Sequence, residues 1–118
     1  MLMAISCFAL AAPLKNVEVR LTQPDGQVIN CFASGDEFYN YLHDANGFTI
    51  VLDDKGYYVY ATKDAEGKVI PTSYIVNSVD PASVGLQPYA KISAKEYYAR
   101  RHQREQECQT RITKSRDT

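Results

Sequence analysis

The run from Ser34 to Ala61, SGDEFYNYLHDANGFTIVLDDKGYYVYA, constrains the fold more than any other part of the chain. Ser34 and Glu37 have the S-x-x-E spacing of a capping box, which predicts a helix start. Phe38, Tyr41, Leu42 and Ala45 then recur at i, i+3, i+4 and i+7, the positions that share one helical face. Asn46-Gly47 tolerates a left-handed backbone and would end that helix. Phe48-Thr49-Ile50-Val51-Leu52 is too short and too β-branched to continue it. Asp53-Asp54-Lys55-Gly56 has the chemistry of a turn, and Tyr57-Tyr58-Val59-Tyr60 that of a second strand. The spacing therefore predicts a short helix followed at once by a β-hairpin, with the apolar stripe of the helix laid over the hairpin.

The flanking segments extend this scheme. Val17, Val19 and Leu21 alternate with Glu18, Arg20 and Thr22, the period of a half-buried strand. Gln23-Pro24-Asp25-Gly26 turns the chain, and Val28 to Ala33 returns as its partner. After the central hairpin, Lys63 to Gly67 is a polar turn. Val69-Ile70 and Tyr74-Ile75-Val76 follow as short strands interrupted by Pro71, which predicts a sheet edge or a bulge. The order β-β-α-β-β-β with short connections predicts an α+β fold: a small antiparallel sheet with one helix packed on a face. Val79 to Ile92, punctuated by Asp80-Pro81 and Gln87-Pro88, reads as extended surface chain. Ser93 and Glu96 form a second capping box and open a projecting C-terminal helix, in which only Ala94, Tyr97, Tyr98 and Ile112 suit apolar contacts. We read residues 1–11 as a leader, 12–90 as one domain, and 91–118 as a basic helix with a disordered tail.

Charge follows the same division. Residues 91–118 carry eight Lys or Arg against four Asp or Glu, whereas the remainder carries five against ten. An acidic body with a basic tail results, without the aromatic interleaving of a nucleic-acid-binding segment. Met1 to Ala12, MLMAISCFALAA, is uncharged and apolar and ends in small residues, with Ala9-Leu10-Ala11 matching an A-x-A cleavage site. It predicts export, secreted or periplasmic. A buried strand is the competing reading, and the run is too short for a membrane span. Cys7 sits in a poor lipobox, with Ala4 three positions before it, so lipid anchoring is not favoured.

No catalytic constellation stands out, which predicts a non-enzyme without cofactor or metal site. His43 and His102 both read as solvated side chains on helices, and no H-E-x-x-H motif is present. The carboxylates lie in caps and turns. With the leader removed, Cys31 and Cys108 remain. They either pair, pinning the C-terminal helix to the sheet, or Cys31 is a small buried core residue; a thiolate that occupies a zinc site is the chemical alternative. Tyr57, Tyr58 and Tyr60 cluster on one predicted strand. Sheet packing accounts for such a cluster, and so does a partner-binding face.

The same residues carry a resemblance. GDEFYNYL, the Asp-Ala-Asn-Gly turn, FTIVLDDKGYYVYA and then Gly67-Lys68-Val69-Ile70-Pro71-Thr72 are similar to the N-terminal, propeptide-like region of secreted zinc metallopeptidases of the immune inhibitor A type, from about Val17 to Leu86. The resemblance implies a module that precedes a peptidase domain and assists its folding or holds it latent. Without that domain, it implies binding to a peptidase domain in cis, if the chain is truncated, or in trans. The reading from the residues alone is an exported module that recognises a protein or polysaccharide through its tyrosine-rich face.

Overall fold

The computed structural model describes residues 13–116. Six strands follow one another as β1 (Leu14–Thr22), β2 (Val28–Gly35), β3 (Asn40–His43), β4 (Thr49–Leu52), β5 (Tyr58–Lys63) and β6 (Val69–Ile75). Every neighbour in sequence is a neighbour in space, so the sheet is a fully antiparallel meander. A short 3-10 turn, Pro81–Val84, and one helix, α1 (Ala94–Arg116), complete an α+β architecture. The leader-like residues before Pro13, Cys7 among them, lie outside the described residues.

One turn chemistry recurs through the meander. At Asp44, Asp53 and Asp64 the backbone N–H donates to the carbonyl four residues on, at 3.0, 2.8 and 2.9 Å. Each Asp carboxylate then accepts two further N–H groups, from the second and fourth residues after it, at 2.9 Å in every case. Gly47, Gly56 and Gly67 close these turns with φ of 89°, 88° and 82°. The pattern is a type I turn with a left-handed residue after it, a connection that matches the twist of the strands it joins. Gln23 to Gln27 repeats the backbone geometry, with Gly26 in the same conformation.

The predicted central helix is absent, and the segment is strand β3 instead. Phe32 pairs with His43, and Leu42 with Ile50, so β3 lies between β2 and β4. Local chemistry explains the difference. The Asp36 carboxylate accepts the N–H groups of Phe38 and Tyr39, at 2.9 and 3.1 Å, which closes a tight turn in place of a first helical turn. The Ser34 hydroxyl, needed for the capping box, is taken by Asn16 and His43. Phe38, Tyr39, Asn40 and Tyr41 are weak helix formers, and the three aromatic residues favour strand. Asn46-Gly47 marks a hairpin, not a helix end.

The core lies on one face of the sheet: Ile29, Cys31, Phe48, Ile50, Tyr60 and Val76 cluster there, with Val19, Leu21, Leu42, Tyr58 and Tyr74 around them. Among the described residues no helix covers this face. The segment after β6 does so, placing Val79 and Leu86 on the cluster. It then passes the β3–β4 turn, where the Tyr89 N–H donates to the Gly47 carbonyl at 2.8 Å, and reaches the opposite face. There the Thr49 hydroxyl donates to the Ala90 carbonyl at 2.7 Å. Gln23, 2% exposed, ties the first turn to the fifth strand: its amide donates to the Tyr58 carbonyl at 2.9 Å and accepts the Tyr58 N–H at 2.8 Å. β6 occupies an edge and carries Pro71, with a register irregularity opposite Val59 to Ala61, as the proline predicts.

Gly35 tests the turn that replaces the helix. Its φ is 125°, and a Cβ there would stand 2.2 Å from the Tyr39 carbonyl oxygen, whereas one at Gly67 would meet nothing within 4 Å. Gly67→Ala should cost about 1–2 kcal/mol, the penalty for an L-residue with left-handed backbone. Gly35→Ala should cost clearly more in denaturant unfolding, because the backbone itself must move.

Candidate functional site

The three tyrosines singled out from sequence are not brought together on a binding face. Tyr60 is 3% exposed and belongs to the core, its hydroxyl accepting the Asn77 N–H at 3.5 Å. Burial pushes its phenol above the ordinary range. Tyr58 packs against the same cluster, and Tyr57 is half-buried beside the β4–β5 turn. The alternation that puts Tyr58 and Tyr60 on one face was legible; that this face is the interior depends on the covering segment.

The aromatic residues that do face outward lie on the opposite side of the sheet. Tyr39 and Tyr41 stack with centroids 5.8 Å apart, Tyr41 lies 5.3 Å from the His43 ring, and His43 stacks on Phe32 at 6.0 Å. Cations cap this row. The Lys91 ammonium stands 5.1 Å over Tyr41, and the Arg100 guanidinium 5.4 Å over Tyr39.

His43 corrects the sequence reading, since it is 6% exposed. Its Nδ1 lies 2.8 Å from the Asp44 carbonyl, an acceptor only, so Nδ1 carries the proton. Nε2 is then free to accept from the Ser34 hydroxyl at 2.7 Å, while that hydroxyl accepts the Asn16 N–H at 3.0 Å. A hydroxyl on an imidazole is also the first element of nucleophilic catalysis. Here both functions of the hydroxyl are occupied within the fold, which suits a cross-link joining β1, β2 and β3.

Above this cross-link opens a cleft of about 570 Å³. Lys15 and Asn16 of β1 form one wall, Tyr41 and His43 the floor, and Gly47, Tyr89 and Lys91 the other wall. Tyr89 is 65% exposed, with φ of 62°. Its ring edge fills the space that a Cβ at Gly47 would take, at 2.5 Å. Lys15 and Lys91 make no ion pair among the described residues. The cleft thus offers two ammonium groups beside aromatic faces, a combination that accepts a segment bearing a carboxylate and an apolar side chain.

Helix α1 is held at the margin of this cleft through Asp36. The Tyr97 hydroxyl donates to Asp36 at 2.5 Å, Phe38 meets the Tyr97 ring edge-on at 6.2 Å, and Arg101 lies 5.6 Å over Phe38. Arg104 approaches Glu37 at 3.9 Å. The helix therefore docks through its first three turns, including predicted contact Tyr97, and again at Cys108, which is 5% exposed, while Tyr98 is 62% exposed. Desolvation works against the Asp36 charge, but the Tyr97 hydroxyl and the Phe38 and Tyr39 N–H groups outweigh it and hold the carboxyl below the ordinary range. The same hydrogen bond, donated to Asp36, raises the Tyr97 phenol.

Cys31 and Cys108 do not pair with each other. Cys31 is a buried free thiol, raised by desolvation, as the core reading predicts, and Cys108 is disulfide-bonded. Neither presents a thiolate for a zinc ion. Among the described residues no three His, Cys, Asp or Glu side chains are grouped to hold a metal, and no helix is long and apolar enough to cross a membrane. No family model, curated protein or solved structure matches the chain.

Two measurements test the polar contacts. Ser34→Ala removes the partner of the buried His43 Nε2, and that of the Asn16 N–H, and should destabilise the fold by about 1–3 kcal/mol. Tyr97→Phe should raise the Asp36 carboxyl, read by NMR titration. The sign for stability follows from the lowered carboxyl. Ionised Asp36 contributes fully above the unfolded carboxylate value, 3.8, and the contribution is lost as pH falls through the lower folded value. The raised phenol of Tyr97 acts in reverse: its contribution is complete below 10.0 and lost as pH rises through the folded value.

Proposed function

We propose that this chain is a non-catalytic, exported module that binds a protein partner through the cleft between β1 and the Tyr89–Lys91 segment. The observation that carries this reading is the pairing of unneutralised Lys15 and Lys91 with the exposed ring of Tyr89 over an aromatic floor. Exposed aromatic side chains are enriched at protein interfaces, whose rims are polar. The resemblance of Val17 to Leu86 to the region that precedes zinc peptidase domains supports a peptidase domain as the partner, bound in cis or in trans. Binding there would assist folding of the peptidase or hold it latent.

Isothermal titration of the full chain with a peptidase domain of the immune inhibitor A type tests the reading. Tyr89→Ala and Lys91→Glu should weaken binding by about 2 kcal/mol, the scale of an interface anchor. Arg111→Ala, on the distant part of α1, should change it by less than about 0.5 kcal/mol at physiological salt. No heat at high micromolar concentration, with both proteins folded, overturns the peptidase as partner.

The second reading, polysaccharide recognition, draws on the open faces of Tyr89 and Tyr98, which suit stacking on sugar rings. Saturable binding of a soluble polysaccharide that Tyr89→Ala abolishes would favour it. Export rests on Met1 to Ala12 and predicts a mature N-terminus near Ala12 by mass spectrometry. Recovery of intact cytoplasmic chain beginning at Met1 contradicts it.

A further inference from the structure

β1 is an edge strand that is open to pairing. Among the described residues it lies at the end of the sheet with only β2 beside it, and after a bulge between Leu14 and Val17 it runs in unbroken register from Val17 to Thr22 without proline. The opposite edge, β6, is interrupted by Pro71 and an irregular register. Backbone parity along β1 is set by the first turn, where the Gln23 N–H bonds the Gln27 carbonyl. Alternation from that bond turns the N–H and C=O of Val17, Val19 and Leu21 toward β2, and those of Glu18 and Arg20 outward. Glu18 and Arg20 are both exposed and make no ion pair among the described residues.

We propose that β1 pairs antiparallel with β1 of a second copy of this chain, about a two-fold axis through Val19. In this register Glu18 faces Arg20 of the second copy, and Arg20 faces its Glu18, so each outward backbone pair also carries opposite charges. Val17 falls opposite Leu21, and Val19 opposite itself, which extends the apolar face of one sheet into the other. Val17 is 44% exposed in the single chain and gains this cover. Sliding the pairing by one residue along each strand sets Glu18 against Glu18 or Arg20 against Arg20, and like charges directly opposite are unfavourable. Charged residues on an edge normally discourage pairing. Here their order selects one partner, a copy of the same strand, in one register. The inference is independent of the peptidase reading, because it uses the outer edge of β1, not the cleft.

Sedimentation velocity of the full chain from low to high micromolar concentration tests it. The wild-type chain should form a dimer. Glu18→Arg and Arg20→Glu, each alone, should weaken dimerisation roughly ten- to a hundredfold, because each opposes like charges twice across the axis. An equimolar mixture of the two variants should form a heterodimer, since each then supplies the charge that the other lacks. Circular dichroism confirms folding, and if one variant fails to fold, the other, alone and mixed with wild type, carries the comparison. A wild-type chain that stays monomeric, a dimer indifferent to either substitution, or a mixture that stays monomeric overturns the proposal, the last two pointing to another surface.

Discussion

Carboxylates that bind their own turn hold this sheet in register. In a meander, each strand takes its register from the strand before it, so a one-residue slip at a turn turns the side chains of the following strand to the wrong face. Asp44, Asp53 and Asp64 each tie down two N–H groups of the turn that they begin, and the following glycine accepts the left-handed backbone the turn needs. The alternation that places Ile50 and Tyr60 inside and Thr49 and Val59 on the other face follows from those bonds.

Covering the two faces is a separate problem, and the chain solves it without a central helix. The segment from Val76 to Lys91 crosses from the core face to the outer face and is fixed at both, by Val79 and Leu86 on one and Ala90 on the other. Asp36 then decides where α1 can lie. Its two oxygens serve different elements, one the β2–β3 turn and the other the Tyr97 hydroxyl, so turn and helix are set by a single side chain. The candidate cleft is the space left between the start of β1 and this returning segment.

The hairpins of β1–β2 and β4–β5, the edge placement of Pro71 and the C-terminal helix were legible because their signals are local. The helix over Phe38 to Ala45 was misread for an equally physical reason. A stripe at i, i+3, i+4 and i+7 is also compatible with a strand that is buried on both faces, where Tyr41 and Leu42 point opposite ways. The decisive signal was present: Asp44-Ala45-Asn46-Gly47 has the same D-x-x-G spacing as Asp53 to Gly56 and Asp64 to Gly67, both read as hairpin turns. The role of His43 was not legible, because Ser34, the partner of its Nε2, is brought to it by strand pairing. The same holds for Tyr60, whose burial depends on a segment that follows it in sequence.

Nearly all the pairing in this sheet joins neighbours along the chain, so each hairpin can form with a small loop-closure entropy. Gln23 is the exception. Its side-chain amide meets both backbone groups of Tyr58, as a neighbouring strand would, across a separation of 35 residues. That bond cannot form until the intervening hairpins are stacked in order, and it bends the first turn toward the fifth strand. Within the sheet, local hairpins thus supply the strand pairing, and a buried glutamine adds a link between its first turn and its fifth strand.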